Sequence, residues 1–525
     1  MKSLFNISKW LHKYIGLFLI LFLMWMGLSG VLLNHPDLIS GFSVPGGMVP
    51  DQYHIRNWNR SALTQLVYSQ QNPDLAYAGG KQGVWKTTDG GRSFHPLRDG
   101  FPESRYYRKT AHIFLLEGKT PLLFAGTNHG LYVCNLANET WKPVSLGSEP
   151  EPVRKILQAK DSLLVFTDSH AYQAPLPPQA LQFKPLRLER TLQERQVSLV
   201  RLFFDLHDGR IWGLPGKLLF DITGLILFFL SVSAFYSWYY PWKRKREKAK
   251  QKMKRPRSLR RLFKWFLKYH LKLGIWTAGI MLIIGGTGMF MRPPLLAVLV
   301  NGNIPGSWYP GPLPDNPWDQ KIHNALYDAI ENRILIQATD GIWEGKSGTN
   351  PSFQKIDLQV PIFVMGATVF ESDSNGDYLV GSFNGIYHRG RADGKSIDIL
   401  TGREAQEISS VRPGDNMVTA CFTTPQGETF INTHYQGILP VGNAQLLERF
   451  AMPEEIENDY RMPLWNYLFE IHNGRFFKDL IGTWYILLIP LGALLFILIT
   501  LSGVYDWLYL NVFRKRRGSA DVEHS

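Results

Sequence analysis

Two histidines, His12 and His270, constrain this chain more than any other residues, because each stands in the same short pattern beside a long apolar run. The first pattern reads Trp10-Leu-His12-Lys-Tyr-Ile-Gly16 and runs on to Leu28-Ser29-Gly30. The second reads Tyr269-His270-Leu-Lys-Leu-Gly274 and runs on to Gly286-Thr287-Gly288. His270, Gly274 and Gly288 each follow their counterparts His12, Gly16 and Gly30 by 258 residues. That offset predicts an internal duplication whose unit carries a histidine at the edge of a membrane helix. Ionisable residues are rare at such places and usually functional.

Four runs are long and apolar enough to span a bilayer, about 14–33, 217–239, 273–291 and 483–508. The mean hydropathy of −0.13 over 525 residues is too low for a polytopic transporter, so a few spans must share the chain with large soluble parts. The first run does not read as a cleaved signal peptide, because its twin at 273–291 is internal. The net charge of +13 is concentrated at Lys243–Arg246, Lys248–Arg261 and Arg514–Arg517. These clusters abut apolar runs, so they read as cytoplasmic flanks and not as a nucleic-acid surface.

The expected order follows from these flanks. Residues 1–35 hold a cytoplasmic start and the first span, 36–206 an outer β-rich segment, 207–242 the second span and 243–271 a basic cytoplasmic loop. Residues 272–292 hold the third span, 293–471 a second outer segment, 472–510 the fourth span and 511–525 a basic cytoplasmic tail. Both termini then lie in the cytoplasm and both large segments lie outside, in the periplasm of a bacterial inner membrane. The two cysteines, Cys134 and Cys421, exclude a Cys-rich metal site; they could pair in an oxidising compartment or remain separate buried thiols.

The outer segments lack helical periodicity and show short β-like runs broken by Gly, Asn and Asp. Gly83-Val-Trp-Lys-Thr-Thr-Asp-Gly-Gly-Arg-Ser-Phe94 resembles an Asp-box hairpin of β-propellers. Similar units contain 123–132, 161–166, 334–343, 378–387 and 429–438, at roughly blade spacing. The fold expected is therefore a membrane four-helix bundle with an all-β outer part. Three units in each half would close into one six-bladed propeller and remove exposed sheet edges. Two separate small β domains are the alternative.

The repeat includes the second span of each unit. Leu206-His207-Asp-Gly-Arg210 precedes one and Ile471-His472-Asn-Gly-Arg475 precedes the other. Ser231-Val-Ser-Ala-Phe-Tyr-Ser-Trp238 and Thr500-Leu-Ser-Gly-Val-Tyr-Asp-Trp507 follow them. The small residues Gly27, Ser29, Gly30 and Gly285–Gly288 read first as helix-packing positions, or as room for a flat cofactor. These four motifs in this order resemble the PepSY-associated transmembrane family. The resemblance covers the spans and their flanks, while the outer segments look like propeller blades instead of PepSY domains. It implies an inner-membrane reductase that binds b-type haem and reduces ferric siderophores at the periplasmic face.

Residue chemistry is compatible with that implication. Bis-histidine haem ligation needs two neutral imidazoles on opposite sides of the iron in an apolar slot. A duplicated unit would pair His12 with His270 near the inner leaflet and His207 with His472 near the outer one, holding two b-type haems. An interfacial histidine bonded to a carbonyl or a headgroup is the ordinary reading for any one of them alone. His35 competes for the outer site, although its counterpart is Pro293. Arg210 and Arg475, with Lys13 and Arg292, are candidates for haem propionates or for plain interfacial anchors. No phosphate loop or dinucleotide fingerprint is present. Electrons would come from membrane quinol or a separate donor protein. They would pass to a ferric-siderophore, another ferric complex or a periplasmic protein acceptor. A non-redox membrane-anchored β-propeller that binds a partner is the competing expectation.

Overall fold

The structure is a computed structural model, and it describes residues 2–147, 149–176, 181–190, 196–249, 257–348, 350–363, 365–373, 375–405, 416–446 and 449–513. The basic run Arg514–Arg517 and part of the basic loop, 250–256, lie outside the described residues. The chain forms two compact units. One comprises Met1–Ile39, Glu194–Leu313 and Trp465–Ser525, and the other Ser40–Gln193 and Pro314–Leu464.

The first unit is helical. Its long helices are Lys2–Asn34, Gly213–Ala249, Arg257–Met289 and Tyr485–Leu508. All four are long and apolar enough to cross a membrane, with candidate spans Ser3–Asn34, Arg210–Glu247, Ser258–Met289 and Arg475–Phe513. Lipid offers no hydrophobic drive for helices to associate, so close packing must do it. The first and second helices meet at two glycines: a Cβ on Gly27 would stand 2.6 Å from the Gly224 carbonyl oxygen, and one on Gly224 2.9 Å from that of Gly27. Leu19, Leu23, Leu227, Met281, Phe496 and Ile499 form a core drawn from all four helices. Phe18, Leu21 and Trp276 remain on the outside, as a lipid-facing surface requires.

Two short helices, Leu199–His207 and Leu464–His472, lead into the second and fourth spans. Each ends at its histidine and is followed by a left-handed glycine, Gly209 at φ 82° and Gly474 at φ 80°, which lets the chain turn sharply into the span. The Ser198 hydroxyl caps the first of them by accepting from the Arg201 amide. The Trp465 indole donates to the Leu33 carbonyl oxygen at 3.1 Å and anchors the other to the end of the first span. These helices and the strand pair Gln196–Ser198 with Asn303–Pro305 belong to the helical unit.

The second unit is all β. Among the described residues six antiparallel sheets of three or more strands follow one another along the chain, with edge strands Gln65–Tyr68, Thr110–Leu116, Val153–Ala159, Ile322–Asp328, Val369–Ser372 and Val418–Thr423. We number the sheets one to six in that order. Glu189–Arg190 adds a parallel edge strand to sheet four. Each sheet packs on the next through apolar faces. Phe124, Val153 and Ile156 share a core between sheets two and three. Phe166, Trp318, Ile336 and Phe353 do so between three and four, so the two outer segments of the sequence build one body. Thr64 donates to the Thr110 carbonyl oxygen at 3.1 Å, from sheet one to two, and Thr368 donates to that of Val418, from five to six. Sheet six returns to the start of sheet one. The buried Asn432 amide nitrogen lies 3.0 and 2.9 Å from the Trp58 and Leu63 carbonyl oxygens, and Thr419 donates to Leu63 at 3.0 Å. Ser43–Pro45 pairs with Arg461–Pro463, so the chain's first entry into the unit and its last exit lie side by side.

The Asp-box hairpin is a structural turn: the Asp89 carboxylate accepts from the Arg92 and Ser93 amides and from the Thr87 and Ser93 hydroxyls. Cys134 and Cys421 are both free thiols. Burial pushes each of them up to about 12, so they stay protonated and inert at neutral pH.

Candidate functional site

His12 and His270 meet inside the helical unit. Their ring centroids are 6.2 Å apart and the rings cross at 84°. His207 and His472 are also neighbours: burial, with the His207 ring beside it, pushes the His472 imidazole down to about 3, and burial lowers His207 as well. Both rings are therefore neutral, which is the form that ligates metals. Ser29, which contacts His472, lies 17 residues beyond His12 on the first helix, and Thr287, which contacts His207, lies 17 beyond His270 on the third. At 1.5 Å per residue the two histidine pairs stand about 25 Å apart along the helices.

All four histidines are held in the same way, through Nδ1. His12 bonds to the Ser502 hydroxyl at 3.3 Å and the Ile499 carbonyl oxygen at 2.8 Å. His270 bonds to Ser233 at 2.8 Å, and His472 to Ser29 at 2.8 Å. His207 bonds to Thr287 and to the Ile284 carbonyl oxygen, both at 3.1 Å. Each hydroxyl already donates its one proton to a carbonyl of its own helix, at Trp25, Leu230, Ile283 and Ile499 respectively for Ser29, Ser233, Thr287 and Ser502. It must therefore accept from the imidazole, so Nδ1 carries the hydrogen and Nε2 keeps its lone pair. This is the second contact that fixes the tautomer of metal-ligating histidines.

In each case a small residue follows the hydroxyl: Ser29-Gly30, Ser233-Ala234, Thr287-Gly288 and Ser502-Gly503. A Cβ on Gly288 would stand 2.9 Å from the His207 ring, and one on Gly503 2.9 Å from the His12 ring. In the sequence Ser29 and Thr287 with their glycines read as packing residues, and Ser233 and Ser502 stand in the repeated runs 231–238 and 500–507 with no role of their own. The repeated hydroxyl-small pair is the signal that finds them.

The pair His12 and His270 fits a haem iron. Bonds of about 2 Å, plus about 1.1 Å from each Nε2 to its ring centre, place coaxial imidazole ligands about 6 Å apart. Gly16 and Gly274, one turn along from these histidines on the same helix faces, would meet nothing within 4 Å if given a Cβ. Both faces thus leave room for a flat macrocycle.

A family model described as the PepSY-associated TM region matches residues 9–510. The chain belongs to that family. No functionally curated protein matches it. Among solved structures, the extracellular domain of a hybrid two-component system from B. thetaiotaomicron is 13% identical over 75% of this chain and 40% of its own, with a TM-score of 0.34. The chain thus spans less than half the length of that relative. A GH74 xyloglucanase from Xanthomonas campestris is 10% identical over 72% of this chain and 50% of its own, with a TM-score of 0.26. The N-terminal domain of Nup159 is 11% identical over 77% of this chain and 94% of its own, with a TM-score of 0.29.

The other site candidates of this PepSY-associated TM protein are placed as follows. His35 bonds through Nε2 to the Asp221 carboxylate at 2.8 Å, and Asn34 donates to the other oxygen of the same carboxylate at 3.0 Å. Arg210 is engaged by Asp208 at 2.6 Å, and Arg475 by Glu470 at 2.5 Å. Arg292 lies near Arg475, with its guanidinium 5.8 Å from the Tyr485 ring centre; burial, then the Arg475 charge, lowers it. Lys13 stacks over Tyr14 at 4.9 Å.

Proposed function

We propose that this protein is a b-type cytochrome of the bacterial inner membrane that passes electrons outward to a ferric acceptor. The observation that carries this reading is the common tethering of the four histidines. Each is tied at Nδ1 to a hydroxyl that can only accept, and two of them stand 6.2 Å apart. An anchor that merely held the β unit would need none of this. His12 with His270, and His207 with His472, would ligate two haems b, and each haem would supply one-electron chemistry at its iron. The chain's own part is to hold four neutral imidazoles in one tautomer, to exclude water with the apolar helix core, and to set the two pairs about 25 Å apart along the helices. Arg475 and Arg292, on the His207–His472 side, are the cations suited to propionates.

The basic flanks support cytoplasmic termini and a periplasmic β unit. Its six sheets, with sheet six returning to sheet one, support a six-bladed propeller made by two halves of a duplicated chain. The donor is membrane quinol or a separate protein. The acceptor is a ferric-siderophore or another ferric complex, by analogy with the family.

The test is the absorption spectrum of detergent-purified protein from haem-supplied cells, before and after dithionite. The reading expects a sharp Soret band with α and β bands on reduction, two haems per chain by pyridine haemochrome, and loss of one haem in His12→Ala and in His270→Ala. A spectrum without haem bands overturns it and leaves a membrane-anchored β unit that binds a partner.

A further inference from the structure

Four of those six edge strands carry a bulge at the same place, near their start. The register shifts between Thr110 and His112, Val153 and Lys155, Ile322 and Asn324, and Val418 and Ala420. A bulge leaves one residue unpaired and re-aims its neighbours, and bulges recur beside functional sites. On the consecutive sheets two, three and four, basic side chains stand at or beside these positions: Lys109 and His112 on either side of Thr110 and Ala111, Arg154 with Lys155, and His323.

These side chains act on one another. The Arg154 charge reaches both Lys109 and His323, and the Lys155 charge reaches His112. Lys109 is exposed at the surface, and the protein around it and then Arg154 lower its ammonium to about 8. Lys155 is buried and lies 3.5 Å from Glu371; Arg154 lies 3.7 Å from Asp168. The carboxylates of Asp168, Glu371 and Asp340 thus face the cations Lys109, Arg154 and Lys155 and the two histidines. His112 is only 8% exposed and its Nδ1 has no hydrogen-bond partner among the described residues, nor has the Arg154 Nε. Buried polar atoms without partners are costly and rare; an anion would satisfy the Arg154 Nε, and His112 Nδ1 in the tautomer that carries its hydrogen there.

We propose that Lys109, His112, Arg154, Lys155 and His323 form a binding site in the β unit for a small anion carrying several carboxylate or phosphate groups. Arginine and lysine on bulged strands provide charge-assisted donors fixed by the sheet, and His112 and His323 add directional ones. The site lies within the β unit and does not depend on haem.

The test is isothermal titration of the full-length protein in neutral detergent and low-salt Tris chloride, with citrate in one arm and inorganic phosphate in the other. Saturable one-to-one binding of either anion is expected, with affinity falling at least about tenfold in Lys109→Ala and in Arg154→Gln while the far-UV dichroism is unchanged. Citrate alone would indicate a polycarboxylate ligand, and phosphate alone a phosphorylated one. Should Arg154→Gln fail to fold, His323→Gln takes its place. No saturable binding of either anion, or binding unchanged in the folded variants, overturns the proposal.

Discussion

Ser233 and Ser502 do more for the candidate site than their size suggests. Each spends its proton on its own helix and so forces the imidazole to present a bare Nε2. Replacing Ser233 by Ala removes the hydroxyl acceptor at His270 Nδ1 and leaves the ring only its backbone contact to Leu230. Haem retention should weaken by about 10- to 100-fold. Transfer of haem to apomyoglobin measures this, and a transfer rate equal to the parent's would show that the contact is incidental. The histidines themselves were legible in the sequence because each stands in a repeated pattern at a span edge. Their partners were not. Ser29 lies 443 residues from His472, and Ser502 lies 490 from His12. Nothing local in the chain joins them, and a serine in an apolar helix reads as packing until the facing ring is known.

The helices contain two kinds of glycine, and the sequence does not separate them. Gly27 is a contact: its missing Cβ lets the first helix touch the Gly224 backbone. Gly16 is a clearance, with open space where its Cβ would stand. Gly27→Val should therefore strain the bundle by about 1–3 kcal/mol and lower its thermal midpoint in detergent. Gly16→Leu should leave that midpoint within a degree or two of the parent. It should nonetheless reduce the haem bound per chain, because it fills the face beside His12. If Gly16→Leu binds a full complement of haem, the macrocycle does not lie there. The short helices that end at His207 and His472 were equally hard to foresee. Each is only nine residues long, and the outer segments around them read as β.

The β unit gathers strands from two stretches of chain separated by two membrane spans. Its strand units were legible as short apolar runs with turn residues, and so was the Asp-box hairpin. What joins the last sheet to the first was not, since it rests on single side chains such as Asn432 and Thr419. Asn432→Ala leaves the Trp58 carbonyl without that donor in a fully buried place, and should cost roughly 2 kcal/mol. Guanidinium unfolding followed by tryptophan fluorescence would report it, with Trp58 at the junction. A midpoint equal to the parent's would mean that the junction contributes little.

The shared core of sheets three and four has a consequence for how the chain is made. When the ribosome has released the first outer segment, Phe166 and Leu188 have only half of their core, because Trp318, Ile336 and Phe353 are not yet synthesised. On the topology proposed above, two more spans must insert, and a second long stretch must cross the bilayer, before that surface is covered. Until then the leading half presents open strand edges and apolar faces, the state in which multi-part proteins aggregate. On that topology the core between sheets three and four is completed only after the second translocation.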